Sequence, residues 1–267
     1  MQGLQWPALF HILSSNNLTS LRLTAFGPSS KLLAQTGARL ADFANSLRLP
    51  FEYNPIEGNI GGMSTFIKHA SHDEVTVVHC MHHHLYDVLG CGVDKLMKVL
   101  RVIRPMLVTM VHQDLDVSQT DSSSFLNKFV DALHYYSALF DALGEGEGLL
   151  GRDSSVQRYE VEHHLFGTEI RNILALDGRI NINGGGCHPS WGNHLLQAGF
   201  EPFSLSGSPA AQAALLLEMF PSKGYTLMEE NGCLKLGWKG LSLLTASAWQ
   251  PSSNFGHIVS SDHHHSS

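Results

Sequence analysis

The sequence predicts an α/β fold: a mainly parallel sheet with helices on both faces, ending in antiparallel strands. Three observations carry that expectation. Helical and extended patterns alternate along most of the 267 residues, as in chains whose parallel strands are joined through helices. VTVVHCM (75–81) is a continuous β-branched run of the kind buried on both faces of a parallel sheet. Near the C-terminus, YTLME (225–229) and CLKLGW (233–238) flank Asn231-Gly232, a two-residue hairpin signal.

The elements follow in order. Leu4, Trp6, Leu9, Phe10 and Leu13 form an apolar helical stripe with Pro7 in its first turn. SLRLTAF (20–26) alternates as a strand does. Ser30 is the expected N-cap of a helix through Leu33, Leu40, Phe43, Ala44 and Leu47, closed by Pro50. FEYNPI (51–56) is extended, the run 75–81 is a strand, and a helix over 94–103 stops at Pro105 before the strand MLVTMVH (106–112). A helix over 124–143 presents Leu126, Phe129, Val130, Leu133, Tyr136, Phe140 and Leu143 on one face and ends at GEGEG (144–148). Another helix is expected over about 156–175, and a short one carries Trp191, Leu195 and Leu196. Ser208 and Pro209 suit the N-cap and first position of a helix ending at Met219. LSLLTASAW (241–249) extends the hairpin, and residues 252–267 form a polar tail expected to be disordered. A parallel sheet closed by antiparallel strands is the arrangement of the methyltransferase variant of the Rossmann fold.

Composition excludes several classes. Hydrophobic residues make up 43% and charged residues 15%, too apolar and too weakly charged for a disordered chain. No window approaches the ~18 consecutive apolar residues of a membrane-spanning helix, and the first residues carry no secretory pattern. The expectation is a soluble, intracellular, globular protein with no membrane association. Lys and Arg total 17 against 24 Asp and Glu, and no run of four basic residues occurs, so strong autonomous grip on DNA phosphates is disfavoured. Protonation of the 17 histidines would reverse the sign of the net charge of −7. Cys80, Cys91, Cys187 and Cys233 form no C-x-x-C pair and read as reduced thiols.

Motif chemistry favours no enzyme. GEGEG follows a helix and sets glutamates where a phosphate would sit, so it reads as a helix-terminating loop; NGGG (183–186) reads as a loop too. Gly146 to Gly151 has P-loop spacing but is followed by Arg152-Asp153. The strand 20–26 lacks the ribose-binding carboxylate of a dinucleotide site. On a strand, Cys80, His82 and His84 would share one face as a three-ligand metal set, but no fourth ligand is evident and the favoured reading places these histidines in a loop. His263 to His265 read as a solvated tail. Glu160, Glu162, His163, His164 and Glu169 cluster with Arg158 and Arg171 on one helix, a pattern usual for a solvated or interface face. No catalytic, cofactor or metal residue is assigned.

Longer strings point elsewhere. QGLQWPALFHIL (2–13), TGARLADFANSLRLPFEY (36–53), SFLNKFVDALHYYSALFDALG (124–144), EIRNILA (169–175) and GYTLMEENGCLKLGWKGLSLLTASAWQP (224–251) resemble the GRAS family of plant transcriptional regulators, within it the Scarecrow branch. The resemblance spans residue 2 to about 251. It implies one GRAS domain over 1–251, with the second leucine-rich region at about 36–67, the PFYRE region at about 76–178 and the SAW region at about 179–250. It marks Arg158, Glu162, Arg171, Trp191, Trp238, Ser247, Ala248 and Trp249 as family motif or interaction residues. It further implies a Rossmann-like core with a helical cap, and a regulator located in the nucleus, with the cytoplasm a second location. Such a regulator acts through contacts with a Short-root-type GRAS protein and indeterminate-domain zinc-finger transcription factors, in radial patterning and asymmetric division, with DNA association indirect.

Departures are expected as well. In the family, QGLQWP follows the VHIID strand, so that strand, the first leucine-rich region and most of the cap are expected to be missing here, leaving a chain that is marginally stable, needs a partner or is an incomplete gene product. His112 stands where the Scarecrow branch has Glu, and NINGGGCHP (181–189) replaces charged residues before Trp191. Two alternatives stay open: a truncated module that competes with the full-length protein, and a relative of class I S-adenosylmethionine-dependent methyltransferases.

Overall fold

The computed structural model describes residues 6–15, 18–27, 29–58, 74–82, 93–115, 125–145, 158–159, 161–175, 189–219 and 223–253. They fall into two compact units, one within residues 1–69 and the other within 70–267. The expected NGGG loop, His83, His84 and the tail histidines lie outside the described residues.

The first unit contains α1 (Trp6–Ser14), β1 (Leu21–Gly27), α2 (Ser30–Ser46) and β2 (Phe51–Glu57). β1 and β2 run parallel, with Leu21 opposite Phe51 and Gly27 opposite Glu57. Their connection is α2, as parallel strands require a crossover. Ser29, not Ser30, caps that helix, its hydroxyl accepting from the Leu32 amide at 3.4 Å. The cap must adopt extended backbone while its oxygen reaches an amide three residues on, and Ser29 does so at φ −138°. Phe10, Leu40, Ala44 and Leu49 form the buried core, with Phe51 set against Phe10 at 5.0 Å between ring centroids.

The second unit is built on a six-stranded sheet. Its strands are β3 (Val77–His82), β4 (Leu107–Gln113), β5 (Phe200–Phe203), β6 (Tyr225–Glu230), β7 (Cys233–Trp238) and β8 (Leu241–Pro251). The order is β3-β4-β8-β7-β6, and β5 also pairs with β8. β3 and β4 are parallel, with α3 (Val93–Ile103) between them in sequence; the other pairs are antiparallel. β8 therefore sits between β4 and β7, and β5 takes the length from Ala248 to Pro251 that β7 leaves uncovered. The parallel-to-antiparallel layout is the predicted α/β, Rossmann-like arrangement.

Two turns set the register of the C-terminal meander. Asn231 (φ 51°) and Gly232 (φ 76°) join β6 to β7, and Lys239 (φ 48°) and Gly240 (φ 90°) join β7 to β8. Two successive positive φ values give the twist that two-residue hairpins need.

Several expectations are corrected. β3 is not buried on both faces: it pairs only with β4 among the described strands, and Val77 and Met81 are exposed. The face of α4 (Phe125–Glu145) that packs inward carries Ala132, Tyr135, Tyr136 and Ala142, whereas Leu126, Phe129, Val130 and Leu133 face solvent. The two stripes share Tyr136, Phe140 and Leu143, which all pack against this core, and diverge before Tyr136, where the small Ala132 faces inward. The helix expected over about 156–175 is helical in its described residues, 158–159 and 161–175, but Val161–Phe166 wind as a π-helical turn running into α5 (Gly167–Ala175). α7 (Ser208–Glu218) starts after Gly207 (φ 79°), with no side-chain cap from Ser208. β5 was not expected; only four residues long and containing Pro202, it is too short to show a period.

Candidate functional site

The motif residues converge on the C-terminal sheet and the helices around it. β8 carries Ser247, Ala248 and Trp249, all buried. Ser247 lies opposite Met110 of β4, Ala248 opposite Thr109 and Phe203, and Trp249 opposite Val108 and Pro202. The Trp249 indole donates to the Ser247 hydroxyl at 3.1 Å, so the serine satisfies a buried N–H that would otherwise be costly. Its ring edge packs on Gly192 of α6 (Pro189–Gln197), where an added Cβ would meet it at 3.4 Å. The backbone of Trp191 belongs to the same helix, while its side chain is not among those described.

Trp238 ends β7 and is 1% exposed. Its indole donates to Asp141 of α4 at 2.7 Å, Tyr225 meets its ring edge-on at 4.8 Å, and Lys239 lies 5.3 Å from the ring centroid. Lys239 also donates to Asp141 at 2.7 Å. These two donors, Lys239 first and then Trp238, hold the Asp141 carboxyl below its usual range.

The charged residues take up different positions. Arg158 pairs with Glu162 one turn on, and its guanidinium lies over Gly144 near the C-terminal end of α4, where a cation is favoured by the helix dipole. Arg171 is exposed and donates to Thr168 on its own helix at 3.3 Å. Tyr159 stacks on His163 at 5.2 Å.

A polar knot that sequence reasoning missed sits where β4 ends. Asp114 accepts from Thr245 at 2.7 Å and also from Ser242, and its amide donates to the Leu243 carbonyl at 3.0 Å. Tyr135 of α4 donates to that same carbonyl at 2.9 Å. His112 is 3% exposed, its Nε2 3.8 Å from an Asp114 oxygen. Beside this knot, Tyr136 donates to Glu169 of α5 at 2.8 Å, and Glu169 is 1% exposed. Burial pushes the Glu169 carboxyl up to about 7, against the opposing pull of hydrogen bonds from Tyr136 and Gln113. The available signal was a run of polar letters, His112-Gln113-Asp114, at the end of an apolar strand.

The arrangement is one of packing and ties. Among the described residues no group of three or more His, Cys, Asp or Glu is placed to hold a metal ion. Cys80 is part-exposed on β3, and Cys233 is buried at the start of β7. No described helix is long and apolar enough to cross a membrane.

Comparison with known proteins decides the family. Residues 1–250 match the GRAS domain family. The chain belongs to the GRAS family. It is 56% identical over 255 residues to Scarecrow-like protein 23 of Arabidopsis thaliana, covering 94% of this chain and 60% of that protein. It is 48% identical over 255 residues to Protein SCARECROW of the same plant, covering 95% of this chain and 38% of that one. Among solved structures, the GRAS protein SCL7 of Oryza sativa superposes with a TM-score of 0.73 at 31% identity, over 94% of this chain and 71% of that one. The GRAS chain thus spans about 60% or less of these curated relatives.

Proposed function

We propose that this GRAS chain is a nuclear transcriptional regulator that works through protein–protein contacts. Its partners on this reading are a Short-root-type GRAS protein and zinc-finger transcription factors of the indeterminate-domain type. Its role is in radial patterning and asymmetric division, with DNA reached through the zinc-finger partner. The observation that carries the reading is the 56% identity to a Scarecrow-like protein over 94% of the chain. The physical features agree with it. Net charge is −7, which suits recruitment by a basic DNA-binding partner better than direct phosphate neutralisation. The signature side chains Trp238, Ser247, Ala248 and Trp249 are committed to packing, so on this reading they support a surface and do not react with a substrate. Exposed Leu126, Phe129, Val130 and Leu133 on α4 offer apolar area of the kind that proteins bury against one another.

The test is co-expression of the chain with a Short-root-type GRAS protein and, separately, with an indeterminate-domain zinc-finger protein. Recovery of stoichiometric complexes is expected. A soluble, cooperatively melting chain that captures neither partner overturns the reading. A second reading is that of a module competing with a longer relative for these partners. It predicts that added chain displaces the longer protein from the complex. Calorimetric titration with S-adenosylmethionine addresses the methyltransferase alternative, and no heat of binding is expected.

A further inference from the structure

Glu169 is the most deeply buried carboxylate among the described residues, 1% exposed on the first turn of α5. Burial of an ionisable group is costly unless it is neutral or fully hydrogen-bonded, so its surroundings decide its charge state. From α4, Tyr136 donates to one carboxyl oxygen at 2.8 Å, and Tyr135 stands edge-on to Tyr136 at 5.4 Å. From the end of β4, Gln113 hydrogen-bonds both Glu169 and Tyr135. Asp114 follows it, occupied by Thr245 and Ser242 of β8, with His112 3.8 Å away. Among the other described charged groups on and just before α5, Arg158 pairs with Glu162, His163 and His164 are exposed, and Arg171 donates to Thr168. Tyr136 and Gln113, both neutral, are hydrogen-bond partners of its carboxyl. Around it the packing is apolar, with Phe166 and Tyr136 at 5.9 Å between ring centroids, and Leu165 and Ile170 against the same core.

The helix that carries Glu169 is irregular. Six residues, Val161–Phe166, wind as a π-helix directly before Gly167. Such turns are rare and frequent at functional sites. Phe166 at its end and Glu169 just beyond it are both buried.

We propose that the Glu169–Tyr136–Gln113 cluster is a proton-controlled latch that fastens α5 and its π-turn to α4 and β4, closed when the carboxyl holds its proton and loosened when it ionises. The sign follows from linkage. Burial raises the carboxyl to about 7 in the folded chain, above its unfolded value. The folded state therefore holds the proton over a range in which the unfolded chain has lost it. The stabilisation is complete below the unfolded pKa and is lost as pH rises to about 7, where it levels off.

The test compares the full chain with its Glu169→Gln variant by amide exchange in α5 and by urea unfolding from pH 5 to 8. Other titrating groups cancel in the ratio of the two opening constants. That ratio is expected to climb by up to about tenfold per pH unit below pH ~7 and then to flatten. A ratio independent of pH overturns the proposal. Carboxyl carbon NMR of the unmodified chain gives a second reading that needs no variant. A Glu169 midpoint near 7 supports the latch, and one in the ordinary glutamate range of about 4.3 overturns it. Tyr136→Phe removes a donor that favours the ionised form, so it should move the midpoint to higher pH. No movement means that Tyr136 is not part of the latch.

Discussion

The indole of Trp238 and the carboxylate of Asp141 meet at 2.7 Å across 97 residues of sequence, joining the end of β7 to the last turns of α4. Trp238 is 1% exposed, and its N–H is satisfied by a carboxylate that is itself exposed. The ring body packs with Tyr135, Tyr136, Phe166 and Leu243 in one cluster. A residue that both fills the core and fixes the helix above it should be costly to remove.

Trp238→Ala is therefore expected to destabilise the chain by about 3–5 kcal/mol, read as a lower urea midpoint at unchanged slope. Trp238→Phe keeps most of the apolar contact and loses the donor, so its smaller cost isolates the tie to α4. Asp141→Asn adds a pH arm. Lys239 and Trp238 depress the Asp141 carboxyl, so its contribution is present above the ordinary carboxyl range and disappears as pH falls through the lowered value. Acid unfolding of Asp141→Asn should be shallower than that of the parent below pH ~4. Superimposable acid limbs would show that the ion pair has no influence on folding.

Gly224 precedes β6 and passes beneath Trp238. A Cβ there would fall 2.3 Å from the ring, and the ring is too enclosed to move aside. Gly224→Ala should cost about 1–3 kcal/mol through overpacking and should shift the intrinsic fluorescence of the tryptophans. In the Trp238→Ala background the same substitution should cost much less, because the atom it strikes is gone. Equal costs in both backgrounds would place the strain elsewhere.

Much of the α/β layout was legible in the sequence because its elements are strongly punctuated. Asn231-Gly232 dictates one hairpin, and the β-branched runs beginning near Val77 and Leu107 give β3 and β4 within two residues. What stayed hidden depends on contacts distant in sequence. The amphipathic pattern of α4 offers two overlapping stripes, and only the sheet beneath selects Tyr135 and Ala142 over Leu133 and Phe129. The π-turn at Val161–Phe166 is not marked by any pattern in the sequence, and the burial of Phe166 and Glu169 beside it is visible only in the structure. Of the site, Trp238, Ser247 and Trp249 were named by resemblance, and all three are buried. Asp114 and Thr245 come together from positions 131 residues apart, beyond the reach of spacing rules.

In the first unit, Gly37 lies buried on α2 against Tyr53 of β2. A Cβ on Gly37 would approach the Tyr53 ring to 2.3 Å, so this glycine permits close approach of helix and strand. Gly37→Ala should destabilise this unit by about 1–3 kcal/mol in spite of alanine's better helix propensity. Amide exchange along β1 and β2 should quicken, while that of β8 stays unchanged. Uniform quickening in both units would show instead that they unfold as one.

The last prediction concerns what holds β8 in place. Thr245 is fully buried and gives its hydroxyl proton to Asp114, while Tyr135 grips the carbonyl of Leu243 two residues earlier. Thr245→Val keeps the shape and leaves a buried carboxylate short of one donor, which should cost about 1–3 kcal/mol. Tyr135→Phe removes the second grip at similar cost. Because both ties act on the same three residues of β8, and Asp114 also donates to Leu243 at 3.0 Å, the losses should not add. The double variant should differ from the sum of the singles by about 0.5 kcal/mol or more. Strict additivity in urea unfolding would mean that β8 is held by its ladders to β4 and β7 alone. The knot would then only satisfy polar groups that the fold had already buried.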